Sequence, residues 1–216
     1  MTISEKDFEK RKKRAFKIVR ELKKLFPDSR VFLRHETPWE LLVAVILSAQ
    51  CTDKKVNEVT RRLFMKYRNL DDYVSVHPRI FERDIYETGF FRSKTKNILG
   101  AAQVITEKFG GNIPQTMDEM LTIPGVGRKT ANIVLQSVYG IVAGIPVDTH
   151  VKRLSRLLGL TKENNPEKIE KDLMNLFPKK EWGRISYRLI DYGRTYCPAK
   201  SHDHDRCPLS RVIQSM

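Results

Sequence analysis

Two residues stand out for their chemistry: Lys129 and Asp148, an amine and a carboxylate at the starts of two successive helical segments. Lys129 follows the tight turn Pro124-Gly125-Val126-Gly127 and falls in the first turn of a helix that begins near Arg128. The positive end of a helix dipole and the adjacent Arg128 disfavour a further positive charge there, and a neutral amine is a nucleophile. The same position also suits a simple phosphate contact. Asp148 stands in the string Pro146-Val147-Asp148-Thr149-His150, at the mouth of a helix over 149–158. An aspartate there caps the helix and is held rigidly. It can also accept a proton from an amine or stabilise positive charge on a sugar ring, and these roles are compatible with capping.

The turn before Lys129 has its own function. Gly125 and Gly127 allow backbone angles closed to other residues and close approach of another backbone. Pro124 fixes one dihedral. The helix that follows starts with N–H groups lacking partners inside the helix, a ready anion site. Thr116 followed by Glu119 reads as a capping box for the short helix before the turn. Helix, tight turn and helix together make a helix–hairpin–helix, a unit that grips phosphate backbone without reading base sequence. The plainer reading is an ordinary helical corner.

Composition supports a polyanionic partner. The 216 residues carry 40 Lys and Arg against 26 Asp and Glu, a formal charge of +14 and a pI near 9.8. A heat-adapted surface would explain many charges but not this imbalance. The longest apolar run, over 41–47, is too short to cross a bilayer. No secretion signal is visible, because the charged stretch Glu5 to Arg14 lacks an apolar core. Three well-separated cysteines make no disulfide framework. The expectation is a cytoplasmic, nucleoid-associated protein with a polyanionic partner, no membrane and no obligate protein partner.

Strand signals are nearly absent, so the expected fold class is all-α. A basic amphipathic helix is expected over 8–26, with Phe16, Val19, Leu22 and Phe26 as its apolar stripe. Thr37, Pro38 and Glu40 form a capping box before a buried central helix over 41–48. Helices follow over 53–67, 70–75, 78–86 and 92–109, then a break at Gly110-Gly111-Asn112. Beyond the hairpin, helices are expected over 166–176 and 181–192. Composition alone marks no domain boundary.

The hairpin from Ile123 to Leu135, the string Val147 to Arg153, the string Leu47 to Asp53 and the string Gly89 to Ile98 resemble the endonuclease III-type helix–hairpin–helix DNA glycosylases. The resemblance runs from about Leu25 to Cys207. It implies two helical lobes with a DNA cleft between them: residues 30–143 as the central lobe carrying the hairpin, and 1–29 with 144–216 as the second. It implies a base-excision-repair glycosylase and AP lyase that removes oxidised pyrimidines from duplex DNA and cleaves 3′ to the abasic site by β-elimination. The partner it implies is double-stranded DNA containing damaged bases or abasic sites. Lys129 matches the lysine that forms a Schiff base at C1′, and Asp148 the essential aspartate. Gln50 matches the glutamine that fills the gap left by the flipped nucleotide. Phe90 falls where relatives carry a wedge, though it would also suit a core residue beside Phe91. His150 reads equally as a DNA contact or a loop histidine bonding backbone. Gly125, Val126, Gly127, Arg128 and Thr130 complete the expected DNA-binding set. Alternatives are a glycosylase for uracil or thymine mismatches and a non-catalytic hairpin DNA-binding protein.

One stretch departs from the resemblance. Relatives hold a 4Fe-4S cluster with cysteines spaced C-x6-C-x2-C-x5-C. Here the four positions are Cys197, His204, Cys207 and Ile213. The expectation is that the cluster is absent and that Cys197, His202, His204 and Cys207, though candidates for a Cys2His2 zinc site, are remnants of a lost centre.

Overall fold

The computed structural model describes residues 5–210. Among these residues all regular structure is helical, as eleven α-helices and two short 3₁₀ turns. No helix among them is long and apolar enough to cross a membrane. The chain forms two compact units. One comprises the chain up to Val31 and again from Gly144 onward, and the other Phe32–Ala143.

The continuous unit is built around α2 (Pro38–Leu47). This helix is apolar on every side and buries all its residues except Pro38 and Glu40. Its start is fixed by the expected capping box: the Glu40 amide donates to Thr37 Oγ1 at 3.1 Å, and the Thr37 amide donates to the Glu40 carboxylate at 3.3 Å. Helices α3 (Asp53–Lys66), α6 (Phe91–Phe109) and α8 (Arg128–Tyr139) pack against it. Burying each of its large side chains stabilises the unit by about 1.5–3 kcal/mol. A second layer is aromatic: Tyr73 of α4 (Leu70–Ser75) meets Trp39 edge-on at 5.1 Å and Phe81 of α5 (Pro78–Ile85) at 5.7 Å. The 3₁₀ turn Tyr86–Thr88 then leads into α6, and α7 (Met117–Met120) precedes the hairpin.

The discontinuous unit packs α1 (Glu5–Leu25) against α9 (Thr149–Leu157), α10 (Pro166–Leu176) and α11 (Lys179–Thr195). Ala15, Ile18, Val19 and Leu22 form the buried stripe of α1, while Phe16 is 51% exposed. The expected stripe was therefore out of phase in its first member: positions 15, 18, 19 and 22 share one face, and Phe16 is turned about 100° away. Buried charge here is paired. Glu181 accepts from Lys23 at 2.5 Å and Arg188 at 3.1 Å, and Arg11 meets Asp172 at 3.2 Å while donating to the Leu160 carbonyl. Removing one member of such a set leaves an uncompensated buried charge. Helix α11 extends beyond the expected 181–192 at both ends.

Candidate functional site

The hairpin is fixed from behind by α6. Gly125 has φ +77, and a Cβ there would stand 2.7 Å from the Cβ of Asn97. Glycine is therefore required twice over, by conformation and by space. Pro124 lies against Gly100 one turn further along α6. Ile123 and Val126 are buried, and the Val126 amide donates to the Ile123 carbonyl at 3.1 Å, which closes the turn inward. Thr116 caps α7 by accepting from the Glu119 amide at 3.3 Å. The Glu119 carboxylate takes the Thr116 hydroxyl proton at 2.6 Å instead of completing the expected box.

Gly127 differs from Gly125. Its backbone is ordinary extended chain (φ −92, ψ 174), and a Cβ would meet nothing within 4 Å. It is the N-cap of α8, and among the described residues this cap has no side-chain hydrogen bond. Arg128, Lys129 and Thr130 therefore occupy a first turn whose cap supplies no side-chain acceptor, with Lys129 exposed. Such an arrangement takes an anion from outside and presents a lysine amine beside it.

Asp148 lies in the other unit, at the start of α9. Its Oδ1 accepts from the Val151 amide at 2.8 Å, so the carboxylate is a true N-cap. The strap leading to it is pinned. Ser186 donates to the Pro146 carbonyl at 2.6 Å, and the Ile145 amide donates to Glu170 at 3.2 Å. His150 packs against Gly193 of α11, where a Cβ would lie 2.8 Å from its Nδ1. That nitrogen is buried with no hydrogen-bond partner among the described residues.

Gln50 and Phe90 share an unusual feature. Among the described residues they are the non-glycine positions with positive φ, +52 and +49. Each costs about 1–3 kcal/mol, a strain that clusters at functional positions. Gln50 is exposed and Phe90 is 64% exposed, so Phe90 does not join a core beside Phe91.

Sequence reading missed Lys94. It is 3% exposed, and its Nζ donates to the carbonyls of Leu47 and Thr88, each at 2.8 Å. Burial holds its pKa below the ordinary lysine value. Nothing in the basic run from Arg92 to Lys96 distinguishes this lysine from its exposed neighbours; only the tertiary fold does.

The loop after α11 requires a correction. A metal-free remnant, with the 4Fe-4S cluster absent and zinc disfavoured, was expected. Instead the ligating atoms of Cys197, His202, His204 and Cys207 all lie within 4.8 Å of one another, an arrangement that could hold a metal ion. Sequence reading named these four residues but favoured a remnant, because their spacing matches no known finger and the loop is short; the fold of the loop brings their ligating atoms together all the same. Ile213, at the fourth of the relatives' cysteine positions, lies outside the described residues.

Comparison with known proteins follows the same residues. The profile of the HhH-GPD superfamily base excision DNA repair proteins matches residues 43–179, which is more than half of the chain and includes the hairpin. The chain belongs to this superfamily. Endonuclease III of a Synechocystis species is 49% identical over 205 residues, covering 95% of this chain and 94% of the relative. Endonuclease III of Bacillus subtilis is 45% identical over 186 residues, covering 86% and 84%. Among solved structures, a trapped endonuclease III–DNA covalent intermediate superposes with a TM-score of 0.89 at 43% identity, covering 93% of this chain and 94% of that one. The all-α helix–hairpin–helix fold expected from the hairpin is thus the fold of the superfamily.

Proposed function

We propose that the chain is a bifunctional DNA glycosylase and AP lyase of base excision repair, acting on oxidised pyrimidines in duplex DNA. The observation that carries the reading is the α8 start: an exposed lysine in the first turn of a helix whose N-cap has no side-chain hydrogen bond among the described residues, behind a turn that requires glycine at 125. The covalent DNA intermediate described for a 43%-identical relative supports the same chemistry.

In this reading the hairpin and the α8 amides hold a phosphate, and the +14 charge steers the duplex. Arg128 and Thr130 flank that phosphate, and His150 is a further contact. Gln50 and Phe90 fill the space left by the extruded nucleotide. The Lys129 amine attacks C1′ through its nitrogen lone pair. The glycosidic bond breaks and the base leaves with that electron pair and a proton. Asp148 takes the amine proton and balances the positive charge on the sugar. Asp148 then returns that proton to O4′ as the nitrogen lone pair breaks the C1′–O4′ bond, and the ring opens to an iminium that acidifies C2′. Loss of a C2′ proton expels the 3′ phosphate by β-elimination and cuts the strand, and water then releases the amine.

The test is a panel of duplexes with thymine glycol, uracil or thymine opposite guanine, or no lesion, incubated with borohydride. The proposal expects base release and a covalent adduct with thymine glycol well above the others. An adduct confined to the mismatches would reassign the substrate. Binding with neither base release nor adduct would reduce the chain to a hairpin DNA-binding protein.

A further inference from the structure

We propose that Cys197, His202, His204 and Cys207 hold a single tetrahedral zinc ion. The donor set points to one ion, and its four donor atoms, all within 4.8 Å of one another, are close enough to converge on it. Cys197 Sγ is 3.7 Å from His204 Nδ1, and Cys207 Sγ is 3.3 Å from His202 Nε2. With metal–sulfur bonds of about 2.3 Å and metal–nitrogen bonds of about 2.0–2.1 Å, donors around a tetrahedral ion stand roughly 3.3–3.8 Å apart. Two thiolates and two imidazoles are a known zinc set, whereas a four-iron cluster takes four thiolates.

The surroundings prepare these groups for a cation. His202 Nδ1 is 2.8 Å from the Lys200 carbonyl. A carbonyl only accepts, so Nδ1 carries the proton and Nε2 turns its lone pair toward Cys207, the outer arrangement that metal-bound histidines favour. Arg153 donates from Nη2 to the Cys197 carbonyl at 2.6 Å and sets Nη1 3.7 Å from its sulfur, which fixes the position of that side of the loop. Both cysteines are buried, while His204 is exposed, leaving an entry side. Two thiolates and a divalent ion sum to zero charge, which removes the cost of burying them. The ion would also fasten a loop whose regular structure is one 3₁₀ turn, His204–Arg206, and thereby hold Leu209 in the core of the discontinuous unit.

The experiment is metal analysis of the full chain purified from medium containing both zinc and iron. The proposal expects about one zinc per chain, loss of that zinc in the His202→Ala and His204→Ala variants, and thiolate-to-cobalt absorption with tetrahedral d–d bands when cobalt replaces it. Chelation should lower Tm, and added zinc should restore it. Stoichiometric iron with acid-labile sulfide would overturn the proposal, as would wild-type chain carrying no more metal than the two histidine variants.

A different observation carries a second inference, which rests on the function proposed above. We infer that Lys94 is a positioning residue that ties together the two loops facing the distorted duplex. The Leu47 carbonyl ends α2 and opens the loop carrying Gln50, and the Thr88 carbonyl precedes Phe90 by two residues. One buried ammonium therefore holds the bases of both strained positions, and as a cation it also complements the negative end of α2. The test compares binding to a duplex with a stable abasic analogue against an undamaged duplex. Lys94→Met should reduce that preference about tenfold while leaving undamaged binding within twofold, and should add little in a Gln50→Ala/Phe90→Ala background. Preference unchanged in Lys94→Met, or an equal loss in both backgrounds, overturns the inference. No preference in the wild type would instead remove the function on which it rests.

Discussion

Helices α8 and α9 both begin at a residue with extended backbone, and each carries a residue proposed for chemistry in or beside its first turn, but the two starts are completed in opposite ways. At α9 the chain supplies its own anion: Asp148 accepts the Val151 amide. At α8 the cap is Gly127, which has no side chain to offer, and the first turn adds Arg128 and Lys129 to the positive dipole end. Charges of the wrong sign at a helix start cost about 0.3–1 kcal/mol each. A stability-driven sequence would place an aspartate at 127 and an acid at 128. The difference teaches that α9 is capped by its own carboxylate, while the N-cap of α8 offers no side chain, as the phosphate contact proposed above requires.

The largest break in this comparison is Lys129→Ala. Borohydride trapping on a thymine-glycol duplex should fall by roughly a thousandfold or more, while affinity measured by anisotropy stays within about twofold because the hairpin amides remain. Next is Asp148. Asp148→Asn keeps a capping oxygen but loses the charge, so base release in single-turnover assays should fall by about 10²–10⁴-fold with little change in Tm. Asp148→Ala should show the same kinetic loss plus about 1 kcal/mol of destabilisation in urea melts. Gly125→Ala should cost about 1–3 kcal/mol of stability by the same melts, since it forces a side chain into a positive φ and against Asn97. Gly127→Asp is the smallest change and the sharpest probe. It gives α8 the cap that α9 has, so stability should rise by a few tenths of a kcal/mol. Duplex affinity should fall about tenfold, with the salt-dependence slope reduced by about one.

Much of the fold was legible because its signals are local. The capping box at Thr37, the proline starts at Pro38 and Pro78, and the glycine turn of the hairpin each act within four residues, and each stands where the sequence puts it. Asp148 was legible as a cap for the same reason. Phe16 misled because size was taken for burial, whereas the phase of Ala15, Ile18, Val19 and Leu22 determines the face. Lys94 was not legible at all, and His202 was legible only as a candidate ligand whose convergence with the others could not be read from spacing. Lys94 gains its partners from residues 47 and 6 positions away, and His202 reaches the other candidate ligands through the fold of a loop without periodicity. The strain at Gln50 and Phe90 is likewise a property of the assembled backbone, invisible in residue type.

The central claim, that the α8 start presents the nucleophile, is tested most directly by locating the covalent bond. Wild-type chain reduced with borohydride on a thymine-glycol duplex, then digested with nuclease and protease, should yield one mass-shifted peptide, with the remnant sugar on Lys129. A remnant on any other lysine or on the N-terminal amine, with Lys129 unmodified, would contradict the account.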